Sequence, residues 1–316
     1  MAIRKLLKPG SQPPAGSVPA PTGQIEHHAP VSVSGGGAQG SRAYTDAELL
    51  AIIPPHTCCI YGDSGTGKST LAAKYPKTGE RPQLVLAFDP PSKAHPYKAG
   101  LRVERNLDEF YESAGIVAED CYNEAGELIR RVEHYIDPDV DKPRAVANVE
   151  ARLAGFYSEA ASWSSVVFDS MSFFQYGAMR RAKFMFPMPA GKEQGSNLAW
   201  YNQVKEDVNR IVRSQAVWWP TTTIFIFHTS EDKAEFASET VRGILAVGKL
   251  PGELPSGFSE MYHLSVKRVS DQYIHQAKTK HDGLWAATSI IAHAPSPCEP
   301  DFRSLWANYL SEHQPK

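Results

Sequence analysis

Residues 62 to 70 read Gly-Asp-Ser-Gly-Thr-Gly-Lys-Ser-Thr, an order of residue types suited to gripping a nucleoside triphosphate. Such a ligand crowds several negative charges together. Backbone N–H groups wrapped around those charges at the positive end of a helix can hold them. Gly62, Gly65 and Gly67 give the loop access to left-handed backbone and to close approach. Lys68 brings a point charge to the β- and γ-phosphates, and the Ser69 hydroxyl is suited to ligate Mg2+. Asp63, Ser64, Thr66 and Thr70 complete the binding stretch, so ATP and Mg2+ are the expected ligands.

Mg2+ keeps several waters and takes few protein ligands, so a carboxylate at the end of a neighbouring buried strand is the second requirement. Val166-Val167-Phe168-Asp169-Ser170 supplies one. Asp169 reads as the metal-site carboxylate. The position ahead of a helix also favours an Asp or Ser that only caps it, and at this point both readings stand. A glycine loop of this kind needs a strand before it and a helix after it. Cys58 to Tyr61 is apolar and Leu71-Ala72-Ala73 continues as helix, so both conditions are met.

The elements that must position these residues follow from periodicity. Short apolar runs alternate with longer helical ones, which predicts an α/β fold with a mostly parallel central sheet flanked by helices. Strands are expected at Thr57 to Tyr61, Leu84 to Phe88, Val166 to Phe168, Thr223 to Phe227, Met261 to Val266 and Tyr273 to Lys278. The first four are near-continuous apolar runs, as in strands buried on both faces. The last two flank Ser270-Asp271 and predict an antiparallel edge hairpin. Helices are expected at Asn106 to Ala114, Ala145 to Ala160, Ser170 to Phe186 and Asn197 to Trp218. In the last, Tyr201, Val204, Val208, Ile211, Val212 and Gln215 form the apolar face. Thr45 and Glu48 form a capping box that opens a helix ended by Pro54 and Pro55.

Thirteen of the first 43 residues are Pro or Gly, too little apolar content to offset ordering entropy, so residues 1–44 are expected to be a disordered tail. The folded domain is expected over 45–312, with the polar, weakly periodic stretch 115–150 as an insertion. The net charge of −2 gives no bulk attraction for nucleic acid or membrane, so an anionic partner needs a local patch. Cys58, Cys59, Cys121 and Cys298 lack metal-ligand spacing and read as reduced thiols. No apolar run approaches the ~18 residues of a membrane span, and no signal-peptide core follows Arg4 and Lys5. A cytoplasmic location is expected, the host cytoplasm if the chain is phage-encoded.

The chain resembles the RecA-like P-loop NTPase core, and more narrowly the small RecA-like AAA-type ATPases of bacteriophages related to single-strand annealing and recombination proteins. The resemblance covers roughly residues 50 to 290 and rests on five segments. These are Gly62 to Thr70, Val166 to Ser170, the helix around Trp200 leading into Ile224-Phe225-Ile226-Phe227-His228-Thr229, Leu254-Pro255-Ser256-Gly257-Phe258, and Lys278-Thr279-Lys280. It implies that His228 senses the γ-phosphate; a strand-end residue hydrogen-bonded to a neighbour is the other reading. It implies that Lys278 and Lys280 reach a neighbouring subunit's triphosphate, where added positive charge stabilises phosphoryl transfer; a solvated edge strand is the other reading. RecA-type cores carry a catalytic Glu just past the second core strand. Here Pro91 stands near that place and Asp89 is the nearby acid, so Asp89 is the candidate to orient the attacking water.

Arg180, Arg181 and Lys183 interleave with Phe184 and Phe186 where RecA-like proteins carry DNA-contacting loops. Cations for phosphates and aromatic faces for bases are the ingredients of single-strand binding; an amphipathic helix end packed into the core is the alternative. A second segment, Ser230 to Gly257, mixes Lys233, Arg242 and Lys249 with Glu231, Asp232, Glu235 and Glu239. The expected function is an ATP-dependent enzyme acting on single-stranded DNA in phage-type recombination or replication, assembled as a ring or filament. The competing reading is a nucleotide-binding assembly protein with little turnover, which Pro91 favours. A small-molecule kinase fits less well, because no Arg-rich lid follows the core.

Overall fold

Cys58 and Ile60 point into one apolar layer with Val85, Val167, Ile224 and Ile226, while Cys59 and Tyr61 point into another with Leu84, Leu86, Phe168 and Phe225. Alternate residues of each strand thus feed opposite faces of one sheet, which is why these strands are apolar at nearly every position. The computed structural model describes residues 44–137, 139, 141–187, 198–232, 241–282, 285–291 and 296–313. The predicted tail, up to residue 43, lies outside them.

The strands are β1 (Thr57–Gly62), β2 (Gln83–Ala87), β3 (Arg102–Asn106), β4 (Val117–Tyr122), β5 (Leu128–His134), β6 (Ser165–Asp169), β7 (Thr222–Asp232), β8 (Val241–Ile244), β9 (Glu260–Val269), β10 (Gln272–Lys278) and β11 (Thr288–Ser289). Their order is β10-β9-β1-β7-β6-β2-β5-β4-β3, with β11 on β9 and β8 on β7. From β9 to β5 every pairing is parallel, and antiparallel pairs close both edges. Strand β7 lies between β1 and β6, so the glycine loop after β1 and Asp169 at the end of β6 flank one crevice at the strands' carboxyl ends, where ligands of open α/β sheets bind. This is the RecA-like α/β P-loop fold.

Helices α1 (Asp46–Ile52), α2 (Lys68–Ala73), α3 (His95–Lys98), α4 (Glu109–Ala114), α5 (Ala145–Leu153), α6 (Tyr157–Ala160), α7 (Met171–Met185) and α8 (Leu198–Asn209) accompany the sheet. The capping box at Thr45 and Glu48 is present. The helix expected over 145–160 is two helices, because Gly155 turns left-handed at φ 74° between them. The helix expected over 197–218 continues from α8 through a π-helical stretch, Arg210–Gln215, into a short 3-10 turn. Val204, Val208, Ile211 and Val212 are buried as expected, but Tyr201 is 49% exposed.

The stretch 115–150 is corrected: it carries β4 and β5, and β5 pairs in parallel with β2 inside the main sheet. Its polarity hid a buried strand. Arg130 donates to the carbonyl of Ala73 at 2.6 Å and to Gln83 Oε1 at 2.8 Å, and also to the carbonyl of Tyr97. Fully buried Glu133 accepts from Tyr135 at 2.6 Å, from Tyr111, and from Arg152 at 3.1 Å. Buried polar groups persist where partners satisfy them, and these partners come from distant segments that local periodicity does not register.

Candidate functional site: a triphosphate cleft

The glycine loop turns where β1 ends. Gly65 and Gly67 hold φ of 80° and 90°, which side chains rarely adopt. At Gly62 a Cβ would sit 2.3 Å from the carbonyl oxygen of Leu264 on β9, so close backbone approach requires glycine there. Gly67 is the N-terminal flank of α2, whose first helical bond runs from Leu71 N–H to the Gly67 carbonyl, leaving the first-turn amides toward the loop. Thr66 Oγ1 donates to the Asp63 carbonyl at 2.9 Å, and the Thr229 hydroxyl on β7 donates to the Asp63 carboxylate. On the other side, the His275 ring on β10 lies 3.0 Å from the Thr66 carbonyl oxygen and donates to it.

Lys68 is buried and curls back over the loop, donating to the carbonyls of Gly62 at 2.9 Å and Asp63 at 2.6 Å. Burial pulls its ammonium down to about 8, against the opposing pull of Asp169, Asp63 and Asp89. Ser69 Oγ donates to Asp169 Oδ2 at 2.6 Å across 100 residues of chain. Ser170, not Asp169, caps α7, accepting from Phe173 N–H at 3.4 Å. Asp169 therefore faces the loop and does not cap α7.

Ser64, Lys68, Ser69, Thr70, Asp89, Asp169 and His228 all line one cleft of about 350 Å3. Asp89 receives a hydrogen bond from Ser170 Oγ at 3.3 Å. Burial, reinforced by the Asp169 charge, raises its carboxyl to about 6. Asp169 is also raised, by burial, with hydrogen bonds from Ser69 and Tyr97 and the Lys68 charge acting the other way. Burial and then the charges of Lys68 and Lys93 push the His228 imidazole down to about 4, so it is neutral at pH 7. The hydroxyl of Ser69 and the carboxylate of Asp169 form an all-oxygen donor pair, the chemistry that suits Mg2+, with Asp89 beside them in the cleft.

Two residues of this neighbourhood escaped the sequence reading. Lys93 lines the cleft from a 3-10 turn, Pro91–Ala94, and its ammonium lies 5.0 Å from the centre of the Phe173 ring. Tyr97, on α3, donates to Asp169 Oδ2 at 2.7 Å. The available signal was position: both follow within eight residues of Asp89 at the carboxyl end of β2, where ligand groups gather.

Lys278 and Lys280 stand apart from this cleft. Lys278 pairs with Asp282, and Lys280 is exposed just past the end of β10. Of the cluster on α7, Arg181 is bound to Glu150 at 2.7 Å, whereas Arg180, Lys183 and Phe184 are exposed, Phe184 at 65%. Lys183 stacks its ammonium 5.3 Å from the Trp200 ring centre, and Trp200 Nε1 donates to the Phe186 carbonyl at 2.8 Å. The aromatics here face outward and do not pack into the core. In the second segment, 233–240 lie outside the described residues. No helix among the described residues is long and apolar enough to cross a membrane.

Among solved structures, the chain is similar to the KaiC-like protein PH0186 of the hyperthermophilic archaeon Pyrococcus horikoshii OT3. Identity is 15% over 71% of this chain and 78% of that chain, with a TM-score of 0.36; at that distance the strand order above is what establishes the fold. A search of curated proteins finds no match. Residues 55–289 match a protein family described as an AAA domain. That span takes in the glycine loop, Asp89, Asp169 and His228, and with it the chain belongs to the AAA domain family.

Proposed function

We propose that this chain is a Mg2+-dependent ATPase that acts on single-stranded DNA in phage-type recombination or replication, with residues 45–312 as its nucleotide-binding domain. The observation that carries the reading is the convergence of Lys68, Ser69, Asp89 and Asp169 on one cleft. Lys68 and the α2 amides hold the phosphates. Ser69 and Asp169 would hold Mg2+, which would supply positive charge against the charge developing on the phosphate. Asp89 is within the same cleft, ionised at neutral pH, and steadied by Ser170, so it takes the part of the missing glutamate in orienting water and receiving its proton.

The DNA part of the reading draws support from exposed Arg180, Lys183 and Phe184 at the end of α7. The route from the cleft to α7 runs through His228, whose ring lies 6.1 Å from Phe173. A neutral His228 beside the phosphates responds to nucleotide by position, not by titration. Assembly into a ring or filament, with Lys278 and Lys280 offered to a neighbouring copy, belongs to the same proposal and depends on Lys278 exchanging Asp282 for phosphate.

Pro91 in place of an acid favours a second reading, in which ATP is a structural ligand with little turnover. Phosphate release from ATP and Mg2+, with and without single-stranded DNA, separates the two. DNA-stimulated release that disappears in Lys68→Ala supports the enzyme. Tight ATP binding without release under either condition supports the structural ligand. Absence of ATP binding by calorimetry sinks both.

A further inference from the structure

Helix α7 carries a stripe at helical spacing that begins at the nucleotide cleft and leaves it. Phe173, Tyr176, Gly177, Arg180, Lys183 and Phe184 recur on one side of the helix, all of them half-buried or exposed, while Met171, Ala178 and Ala182 face the core. The stripe sets two rings at its inner end, then two cations and a further ring, and spans on the order of 16 Å at the helical rise. A second cavity, of about 320 Å3, opens beneath its inner half. Its walls are Phe88 and Pro91 at the end of β2, Tyr135 and Asp137 at the end of β5, and Tyr176 and Arg180 on α7.

The lining states what would fit. Phe173 and Tyr176 meet edge to face at 5.7 Å, and Tyr176 is 58% exposed, so its ring is free to cover an inserted flat group. Asp137 is anchored by its Oδ1, which accepts the N–H groups of Arg144 and Ala145 at 2.7 Å each. Its Oδ2 faces α7 at Gly177, where a Cβ would stand 3.8 Å away and fill the floor. One wall therefore offers an acceptor for a base N–H, the others offer ring faces, and the rim carries Arg180. Basic rim charges complement a phosphate backbone, and aromatic walls complement bases.

We propose, resting on the single-strand reading above, that single-stranded DNA runs along this stripe with one base unstacked into the cavity under Tyr176 and a backbone phosphate on Arg180. The stripe has room for about three nucleotides. Its inner end is Phe173, which touches His228 and carries the Lys93 ammonium, and both of those residues line the triphosphate cleft. The cavity's Pro90 and Pro91 directly follow Asp89. A base in this cavity bears on the residues that border the reacting phosphate, a physical route for DNA to alter turnover.

The test uses the full chain with a labelled dT12 oligonucleotide followed by fluorescence anisotropy, alongside phosphate release. Tyr176→Ala is expected to weaken dT12 binding about ten-fold, the scale of one lost base–aromatic stack, and to remove DNA stimulation while leaving DNA-free turnover as in the wild type. Tyr176→Phe keeps the ring and is expected to bind as the wild type does. If the wild type binds dT12 and Tyr176→Ala binds it equally well, the base cavity is overturned and the single-strand reading stands. Loss in Tyr176→Phe as well assigns the effect to the hydroxyl and overturns base stacking. A wild type with no salt-dependent binding of dT12 removes this proposal together with the reading it rests on.

Discussion

Tyr97 donates its hydroxyl to Asp169 Oδ2 at 2.7 Å, the same oxygen that receives Ser69 Oγ at 2.6 Å. A buried donor, Tyr97, and a half-buried one, Ser69, on one carboxylate oxygen fix its orientation, and partners of this kind tune metal affinity. Tyr97→Phe is expected to raise the Mg2+ concentration for half-maximal turnover by about ten-fold. Binding of ATP without Mg2+ is expected to be unchanged in calorimetry. An unaltered Mg2+ requirement would show that Tyr97 only fills space.

Under the proposed mechanism Asp89 sets the acid limb of activity. Its carboxyl titrates at about 6, so turnover is expected to fall as pH drops below that value, because the protonated acid accepts no proton from water. Asp89→Asn is expected to lower turnover on the order of 100-fold and to flatten that limb. Stability moves the other way. The fold raises this pKa, so the folded state holds the proton more tightly, and stability falls as pH rises from the ordinary carboxylate range through about 6. Asp89→Asn therefore melts at a higher temperature than the wild type at pH 8, measured by thermal denaturation. A lower melting temperature there contradicts the assignment.

Arg130 is a buried cation held by neutral acceptors: the carbonyls of Ala73 and Tyr97 and the amide oxygen of Gln83. Burial draws its guanidinium down to about 10, which still leaves it charged at pH 7. Truncation orphans all three acceptors, each of which costs about 1–3 kcal/mol when left unpaired. Arg130→Ala is expected to destabilise the chain by about 3 kcal/mol in urea unfolding. Because the same side chain ties α3 to α2, its nucleotide affinity should drop as well.

Arg180 and Arg181 are neighbours with different fates. Arg181 is engaged by Glu150, while Arg180 lies at the rim of the α7 cavity. In the plot of log affinity for dT12 against log salt, Arg180→Ala should reduce the slope by about one and Arg181→Ala should leave it unchanged. Equal slopes for all three proteins would take Arg180 off the DNA path.

The phosphate loop was legible in the linear sequence because its chemistry is local: glycines, lysine and serine act within nine consecutive residues, and β1 and α2 flank them directly. The strands β1, β2, β6 and β7 were legible for a related reason, since burial on both faces leaves an apolar residue at nearly every position. The β9–β10 hairpin showed its turn. Strand β5 did not show, because the buried charges of Arg130 and Glu133 break its apolar pattern and are satisfied by residues outside the strand, and β3 did not because it is a polar edge strand exposed along most of its length.

Only the tertiary structure decided which carboxylate meets Ser69, which of two adjacent arginines meets Glu150, that Lys93 lines the cleft and that Tyr97 backs Asp169. Residue type and spacing specify what a segment can bond to. They do not specify which distant segment arrives, because that depends on the lateral order of the strands, with β7 set between β1 and β6. Strand order is a property of the whole packed sheet, where the central strands must bury both faces at once, and no stretch of the sequence carries it alone.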